Sequence, residues 1–270
     1  MTQAYDWAGR VGDVWAEEWR RTERSFVALE PRLEEAILAV APAQGRFLDI
    51  GCGVGTTTLA VAAARPAARV TGADLSTGMI AIARDRAHGL ANLEFTSGDA
   101  IDHAATGGPF DLFFSRHGVM FFPDPVAALT RLHAAATPGA PLVFSCFAAA
   151  ADNPWASLLT EPPPARRGYV PGPFGFADEG GTRAILDRSG WRDATAARVA
   201  YRYVAGQGAD PVADAVSYLS RIGPAATALR EAAPADRPVL EARLAARLTE
   251  HRDADTVTFP AAAWIWSAYA

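Results

Sequence analysis

The chain has 270 residues and not one lysine; all 25 of its basic residues are arginine. That absence excludes several chemistries. A Walker-type loop needs a lysine on the β- and γ-phosphates. Protein kinases need a strand lysine paired with a helix glutamate. Schiff-base enzymes, pyridoxal phosphate enzymes among them, need a lysine amine. Cysteine is scarce too. Cys52 and Cys146 lie far apart, which suggests neither a disulfide framework nor a cysteine-rich metal site. No apolar run reaches the roughly 18 residues that a membrane span requires. The first residues, MTQAYDWAGRVGDVW, carry charge early and have no apolar centre. A secretory signal is therefore not expected, and a cytoplasmic location is. The formal net charge is -5 and the arginines form no block, so the electrostatic footprint of a nucleic-acid partner is missing.

Half of the residues are hydrophobic and a fifth are charged, as in a soluble globular protein. Alanine is abundant, and a GC-rich codon bias accounts for both alanine and arginine. The first 40 or so residues read as helices, with Trp7, Val11, Val14, Trp15 and Trp19 at helical spacing and then Phe26, Leu29, Leu33, Ile37 and Val40. Strands and helices alternate after Pro42. Strands are expected at 46–50, 69–73, 93–97, 110–115 and 141–147. Helices are expected at 56–64, from a Ser76 cap to about 87, and at 125–136. This alternation implies a parallel sheet covered by helices on both faces. Residues 152–177 are rich in proline and aromatics, including Trp155, Pro162 to Pro164, Tyr169, Phe174 and Phe176. A helix from about 178 to 190 and a strand at 193–204 follow. Two or three alanine-rich helices are expected over 210–250, then strand at 256–259 and 262–269. One domain is expected over 1–270. It comprises a helical cap at 1–43, a ligand-binding core at 44–147, and substrate-cap insertions at 148–177 and 205–253.

The chemistry concentrates where strands end. Phe47 to Gly55 reads FLDIGCGVG, a strand running into a glycine turn and then a helix. Gly51 and Gly53 let the backbone approach a ligand, and the following helix offers unpaired N–H groups. A dinucleotide fingerprint would need glycine at position 56, where Thr56 stands. Asp49 is also atypical for that fingerprint and suits a ligand with an ammonium group. Asp74, at the tip of the second strand, is placed to accept from both hydroxyls of a ribose. Asp99, after the third strand, is placed to accept from the exocyclic amine of adenine. Carboxylates at three neighbouring strand ends line the crevice where open α/β sheets bind ligands. Such a site suits an amine, a ribose and an adenine without phosphate.

These residues resemble the class I S-adenosylmethionine-dependent methyltransferases of the small-molecule type. The resemblance implies a Rossmann-like sheet of seven strands, ordered 3-2-1-4-5-7-6 with the seventh antiparallel, and S-adenosyl-L-methionine as cofactor. It also implies roles. Asp49 and the Gly51–Cys52–Gly53 turn would hold the methionine part, with Ser115 nearby. Apart from the resemblance, Tyr5, Trp7 and Trp15 have two readings, a helical cap closing over donor and acceptor or packing of that helix on the core. Asp74 would hold the ribose. Gly98, Asp99 and Ala100 would hold the adenine, flanked by Leu75 and Met79. The stretch 113–122 resembles the loop after strand 4 in that family.

Methyl transfer is an in-line displacement that depends on alignment and exclusion of water. His117, just after strand 4, is the candidate general base, since histidine titrates near neutrality. Arg116 would bind an acceptor carboxylate or pair with an acidic residue of the cap. Trp15 and Trp155 are the further acceptor-binding candidates, and the aromatic insertion after strand 5 is the expected pocket. Trp19 reads as packing. Asp152 and Asn153 supply too few oxygen ligands for Mg²⁺, so no metal is expected. The expected partner is a small, aromatic or apolar molecule, with no nucleic acid or membrane, acting on a monomer or homodimer. A nicotinamide-dependent oxidoreductase and a non-catalytic binding protein stay as alternatives.

Overall fold

The computed structural model describes residues 7–161 and 168–270. Tyr5 and Pro162 to Pro164 lie outside them. Eight strands form one sheet: β1 (Gln44–Ile50), β2 (Ala67–Asp74), β3 (Leu93–Ser97), β4 (Leu112–Arg116), β5 (Pro141–Phe147), β6 (Arg192–Gln207), β7 (Arg252–Asp253) and β8 (Thr256–Tyr269). Their order is 3-2-1-4-5-8-6, with the two-residue β7 paired to β8. The first five strands are parallel, and β8 runs antiparallel to both β5 and β6. It takes the place expected for strand 7. Every residue of β5 is buried, which explains its unbroken apolar run; parallel strands covered on both faces show no alternation. Phe47, Phe113, Phe114 and Phe144 are fully buried in the same layer. Burying each such side chain contributes roughly 1.5–3 kcal/mol.

The connecting helices are α4 (Thr56–Ala64), α5 (Thr77–Arg86), α6 (Ala100–Gly107), α7 (Pro125–Ala134) and α8 (Glu179–Arg188). Three helices precede the sheet: α1 (Arg10–Glu17), α2 (Trp19–Phe26) and α3 (Glu30–Val40). Three more, α9 (Pro211–Leu219), α10 (Pro224–Glu231) and α11 (Arg237–Thr249), lie between β6 and β7. Ser76 caps α5 as expected, accepting from the Met79 N–H at 3.2 Å. Helix α6 was not expected. Its cap is Asp99, which accepts from the Ile101 N–H at 2.8 Å.

Strand β8 is continuous through Pro260, where the sequence suggests a break. Pro260 pairs with Arg202 of β6, whereas the β5 ladder begins only at Ala263. The prolyl nitrogen thus falls on a stretch with one neighbouring strand, where a missing donor costs no ladder bond.

Strands β1 and β4 are adjacent although β2 and β3 intervene in sequence. The connections leave in opposite directions from this pair and open a crevice at its carboxyl end. Ser115 joins the crevice's two lips. Its hydroxyl donates to the Ile50 carbonyl at 2.6 Å and accepts from the Gly118 N–H at 3.1 Å. The lips are so close that a Cβ at Gly118 would lie 2.5 Å from the Ile50 oxygen.

Candidate active site

The floor of the crevice is made by strand tips and backbone. The N–H groups of Gly51 and Cys52 both donate to the Ala73 carbonyl, at 2.9 and 3.0 Å, which curls the turn onto β2. Gly51 and Gly53 have φ of 66° and 55°, the left-handed region that glycine enters without strain. Asp74 accepts from the Gly53 N–H at 2.9 Å with one oxygen and from the Ser76 N–H at 2.8 Å with the other. Burial raises the Asp74 pKa, while these two N–H groups oppose the rise. Gly51, Cys52, Gly53, Asp74, Leu75, Met79, Gly98, Asp99 and Ala100 all line one cavity, so most of the expected floor comes together.

Asp49 and Ser115 do not line it. Asp49 lies under the turn, fully buried, and accepts from the Thr58 hydroxyl of α4 at 2.6 Å. Its Oδ1 has no partner among the described residues. Burial pushes its pKa up to about 7 against the opposing Thr58 hydrogen bond. Its place is behind the turn, because a side chain that points toward α4 cannot also point into the crevice. Ser115 is likewise a buried tie between β1 and the loop after β4, with its hydroxyl consumed by that task.

The roof is built by the N-terminal helices. Trp7, Trp15, Trp19, Thr22, Glu23 and Phe26 all line the cavity. Trp15, Trp19, the pair Thr22 and Glu23, and Phe26 follow one another at about one helical turn, which places them along one face of the helical run. The Trp7 ring lies 5.4 Å from Trp15 and meets Phe121 edge-on at 4.9 Å. Trp19 is therefore a wall residue as well as a packing one; the guanidinium of Arg86 sits 5.0 Å from its ring centroid. Met120, Phe121 and Phe122, from the loop after β4, and Phe147, from the end of β5, complete the wall.

Where floor and roof meet stand Arg116 and His117. Arg116 is ion-paired with Glu23, and with Glu30 at 3.4 Å. Both carboxylates come from the N-terminal cap, so the cap-pairing reading holds and the guanidinium is not left open for an acceptor carboxylate. Burial would lower the Arg116 pKa, but the two carboxylates outweigh it and raise it. His117 is buried, at φ 61°, between the rings of Phe26 (4.7 Å) and Phe147 (4.4 Å). Its Nδ1 lies 2.9 Å from the Ser145 hydroxyl, and its Nε2 has no partner among the described residues. Burial first, and the Arg116 charge second, push its pKa down to about 3. A histidine titrating near neutrality is not what the fold provides.

Trp155 does not line the cavity. It is 5% exposed, stacks on Tyr203 at 4.9 Å and donates to the Asn153 side chain at 3.3 Å. Phe176 of the same insertion is fully buried. Tyr169 shares its hydroxyl between the Met120 and Phe122 carbonyls, at 2.9 and 2.7 Å, and so braces the loop after β4 from behind. Asp152 pairs with Arg198 at 2.8 Å. No described residue of 205–253 lines the cavity either. Those helices support the roof: Asp214 of α9 pairs with Arg21 at 2.8 Å and Arg24 at 2.7 Å, and Arg221 pairs with Glu18 at 2.8 Å. Sequence reading missed Glu23, Phe26, Met120 and Phe147 as wall residues. The stripe Trp15, Trp19, Thr22/Glu23, Phe26 is the signal that was there to find.

The strand order, the antiparallel strand beside β5 and the glycine turn after β1 define the class I S-adenosylmethionine-dependent methyltransferase fold. Residues 47–139 match the family described as "Methyltransferase domain". It is 30% identical over 174 residues to trans-aconitate 2-methyltransferase of Methylobacterium radiotolerans, covering 60% of this chain and 62% of that protein. It is 35% identical over 133 residues to demethylmenaquinone methyltransferase of Clavibacter sepedonicus, covering 48% and 49%. The chain thus spans less than two thirds of these curated relatives. In fold it resembles phosphoethanolamine N-methyltransferase 2 of Haemonchus contortus in complex with S-adenosyl-L-methionine, with a TM-score of 0.57 and 17% identity, over 99% of this chain and 60% of that one.

Proposed function

We propose that the chain transfers the methyl group of S-adenosyl-L-methionine to a small, aromatic or apolar molecule by in-line displacement. One observation carries the reading: a carboxylate-and-glycine floor and an aromatic roof face the same cavity. The floor fits the donor. Asp99 spends one oxygen on its helix and keeps the other for an amine, and a Cβ at Gly98 would meet nothing within 4 Å, so there is room beside it. The donor, when bound, supplies an electrophilic methyl group on a positive sulfonium. The chain's residues do the rest. Asp74 and Asp99 orient the nucleoside, Gly51 to Gly53 admit it closely, and the tryptophans exclude water.

The acceptor half favours a neutral ring over an anion. Among the described residues Arg116 is the one basic side chain of the cavity wall, and two carboxylates already hold it. An aconitate-like acceptor, as named for one relative, finds no open cation there, whereas aromatic walls suit a flat molecule. In this reading 44–147 holds the donor, 1–43 roofs the acceptor, and 148–177 and 205–253 brace the two. No described helix is long and apolar enough to cross a membrane. A small-molecule enzyme of the cytoplasm, monomeric or homodimeric and without a nucleic-acid partner, is consistent with that.

Calorimetric titration with S-adenosylhomocysteine and with NAD tests the donor. Binding of the first and not the second is expected. The reverse would favour the oxidoreductase alternative, against which Thr56 and Asp49 already stand. A methyl-release screen over phenols, amines and carboxylates then separates an enzyme from a mere binder.

A further inference from the structure

Three residues of the cavity wall each carry a buried polar atom without a partner among the described residues: Trp7 Nε1, Glu23 Oε2 and His117 Nε2; the last two belong to side chains that meet beside Arg116. Buried polar atoms in native proteins are nearly always satisfied, so such atoms in a cavity point to a ligand. The side chains of Glu23 and His117 are linked through shared contacts. Phe26 lies one helical turn beyond Glu23, its ring is 4.7 Å from His117, and Arg116, the residue before His117, holds the other oxygen of Glu23.

Their polarities are opposite. Glu23 is a carboxylate with an accepting oxygen. For His117 the Ser145 hydroxyl decides the tautomer. That hydroxyl has no other acceptor than Nδ1 among the described residues, at 2.9 Å. A hydroxyl with a single acceptor in reach donates to it, which occupies the Nδ1 lone pair and leaves the ring hydrogen on Nε2. With that tautomer the ring hydrogen of His117 lies on Nε2, the atom that has no partner among the described residues.

We propose that Glu23 and His117 together bind a hydroxyl of the methyl acceptor, and that the acceptor is a neutral hydroxylated arene methylated on oxygen. This rests on the methyltransferase reading above. The acceptor hydroxyl donates its proton to Glu23 Oε2, and its oxygen accepts from His117 Nε2–H. A remaining lone pair is then directed at the methyl carbon. As the new O–CH₃ bond forms, the S–CH₃ bond breaks, with its electron pair staying on sulfur as a thioether. The O–H bond also breaks, and its proton passes to Glu23. One sulfonium and one carboxylate become neutral, so charge balances. Glu23 is the base in this scheme, and His117 holds the oxygen without taking a proton.

The test uses the full chain loaded with S-adenosylhomocysteine and reads binding by calorimetry. The probes are matched pairs: phenol with benzene, 2-naphthol with naphthalene, and 4-phenylphenol with biphenyl. At least one phenol should bind about tenfold or more tighter than its parent hydrocarbon, as expected for a hydrogen bond to a charged group. His117→Phe, which keeps a ring but loses the donor, should shrink that preference to within about threefold. Glu23→Gln, in which Arg116 retains Glu30, should lower methyl transfer to the preferred phenol by about 100-fold or more, the scale of general-base loss. Glu23→Asp keeps the charge, withdraws the oxygen and should fall between. Affinity for S-adenosylhomocysteine should stay within about threefold in every variant. Donor binding without hydroxyl preference in any pair overturns the proposal and leaves the methyltransferase reading standing. Anilines that bind as tightly as the phenols overturn the oxygen assignment. Absence of donor binding in the unmodified chain defeats the methyltransferase reading itself.

Discussion

Asp74 and Glu23 line the same cavity, and their partners differ in kind. Asp74 accepts from two backbone N–H groups, those of Gly53 and Ser76, within 21 and 2 positions of itself. Glu23 is held by the side chain of Arg116, 93 positions away. The whole floor follows Asp74: turn, strand tips and helix caps are set by chain direction and glycine conformation. The whole roof follows Glu23: rings and ion pairs contributed by helices that meet only after folding. A backbone-made floor is rigid and tolerates little change in the main chain. A side-chain-made roof can be altered piece by piece without disturbing what lies beneath it. Four variants test whether that division is real.

The largest effect is expected at the floor. Gly53→Val places a β-branched residue at φ 55° and disturbs the N–H that Asp74 accepts. Affinity for S-adenosylhomocysteine should fall about 100-fold, or roughly 3 kcal/mol. Calorimetric binding within threefold of the unmodified chain would deny that the backbone shapes this side. At the roof, the double change Trp15→Ala and Trp19→Ala should lower acceptor turnover about tenfold or more and cost about 2 kcal/mol of stability, at the low end for large aromatics because both are half-buried. Donor affinity should hold within threefold. An equal loss of donor binding would merge roof and floor into a single unit.

Asp49 probes the layer under the floor. Its folded pKa of about 7 lies above the ordinary 3.8, so folding favours its protonated form. Its contribution to stability is complete below the ordinary value and is lost as pH rises through about 7. In donor-free protein, Asp49→Asn should therefore melt a few degrees above the unmodified chain at pH 8, with the gap closing toward pH 4. A gap independent of pH would mean that the carboxylate ionises as it does in water. The smallest effect is expected at Tyr169→Phe, which removes one shared hydrogen bond behind the loop after β4. It should cost about 1 kcal/mol and leave donor affinity unchanged.

The same division explains what could be read from the sequence. The strand order and nearly all of the floor were legible, since glycines, strand tips and caps reveal themselves within a few residues. Asp49 and Ser115 were assigned to the cavity because their positions are adjacent to it. Which way a strand residue points depends on the opposite layer, and Thr58 and Gly118 supply that layer. Trp155 shows the limit of composition. An aromatic, proline-rich insertion looks like a pocket, yet the ring is stacked on Tyr203, 48 residues further along the chain by number, and its neighbours brace the site from behind. His117 shows the limit of residue type. Its ordinary pKa suggests a base, but burial between Phe26 and Phe147 and the charge of Arg116 push its pKa well down.

The Ser115 hydroxyl has a mechanical consequence. It grips the last carbonyl of β1, from which the glycine turn departs, and the N–H of Gly118, from which the acceptor-side loop departs. The glycine turn and the loop after β4, which in the proposed function serve donor and acceptor, are thus tied to each other through one atom. In that reading a tie of this kind would make the two lips move together, as a common-mode motion, rather than against each other. For a displacement in which an error of about 1 Å can cost about 100-fold in rate, cancelling relative vibration is worth as much as suppressing it.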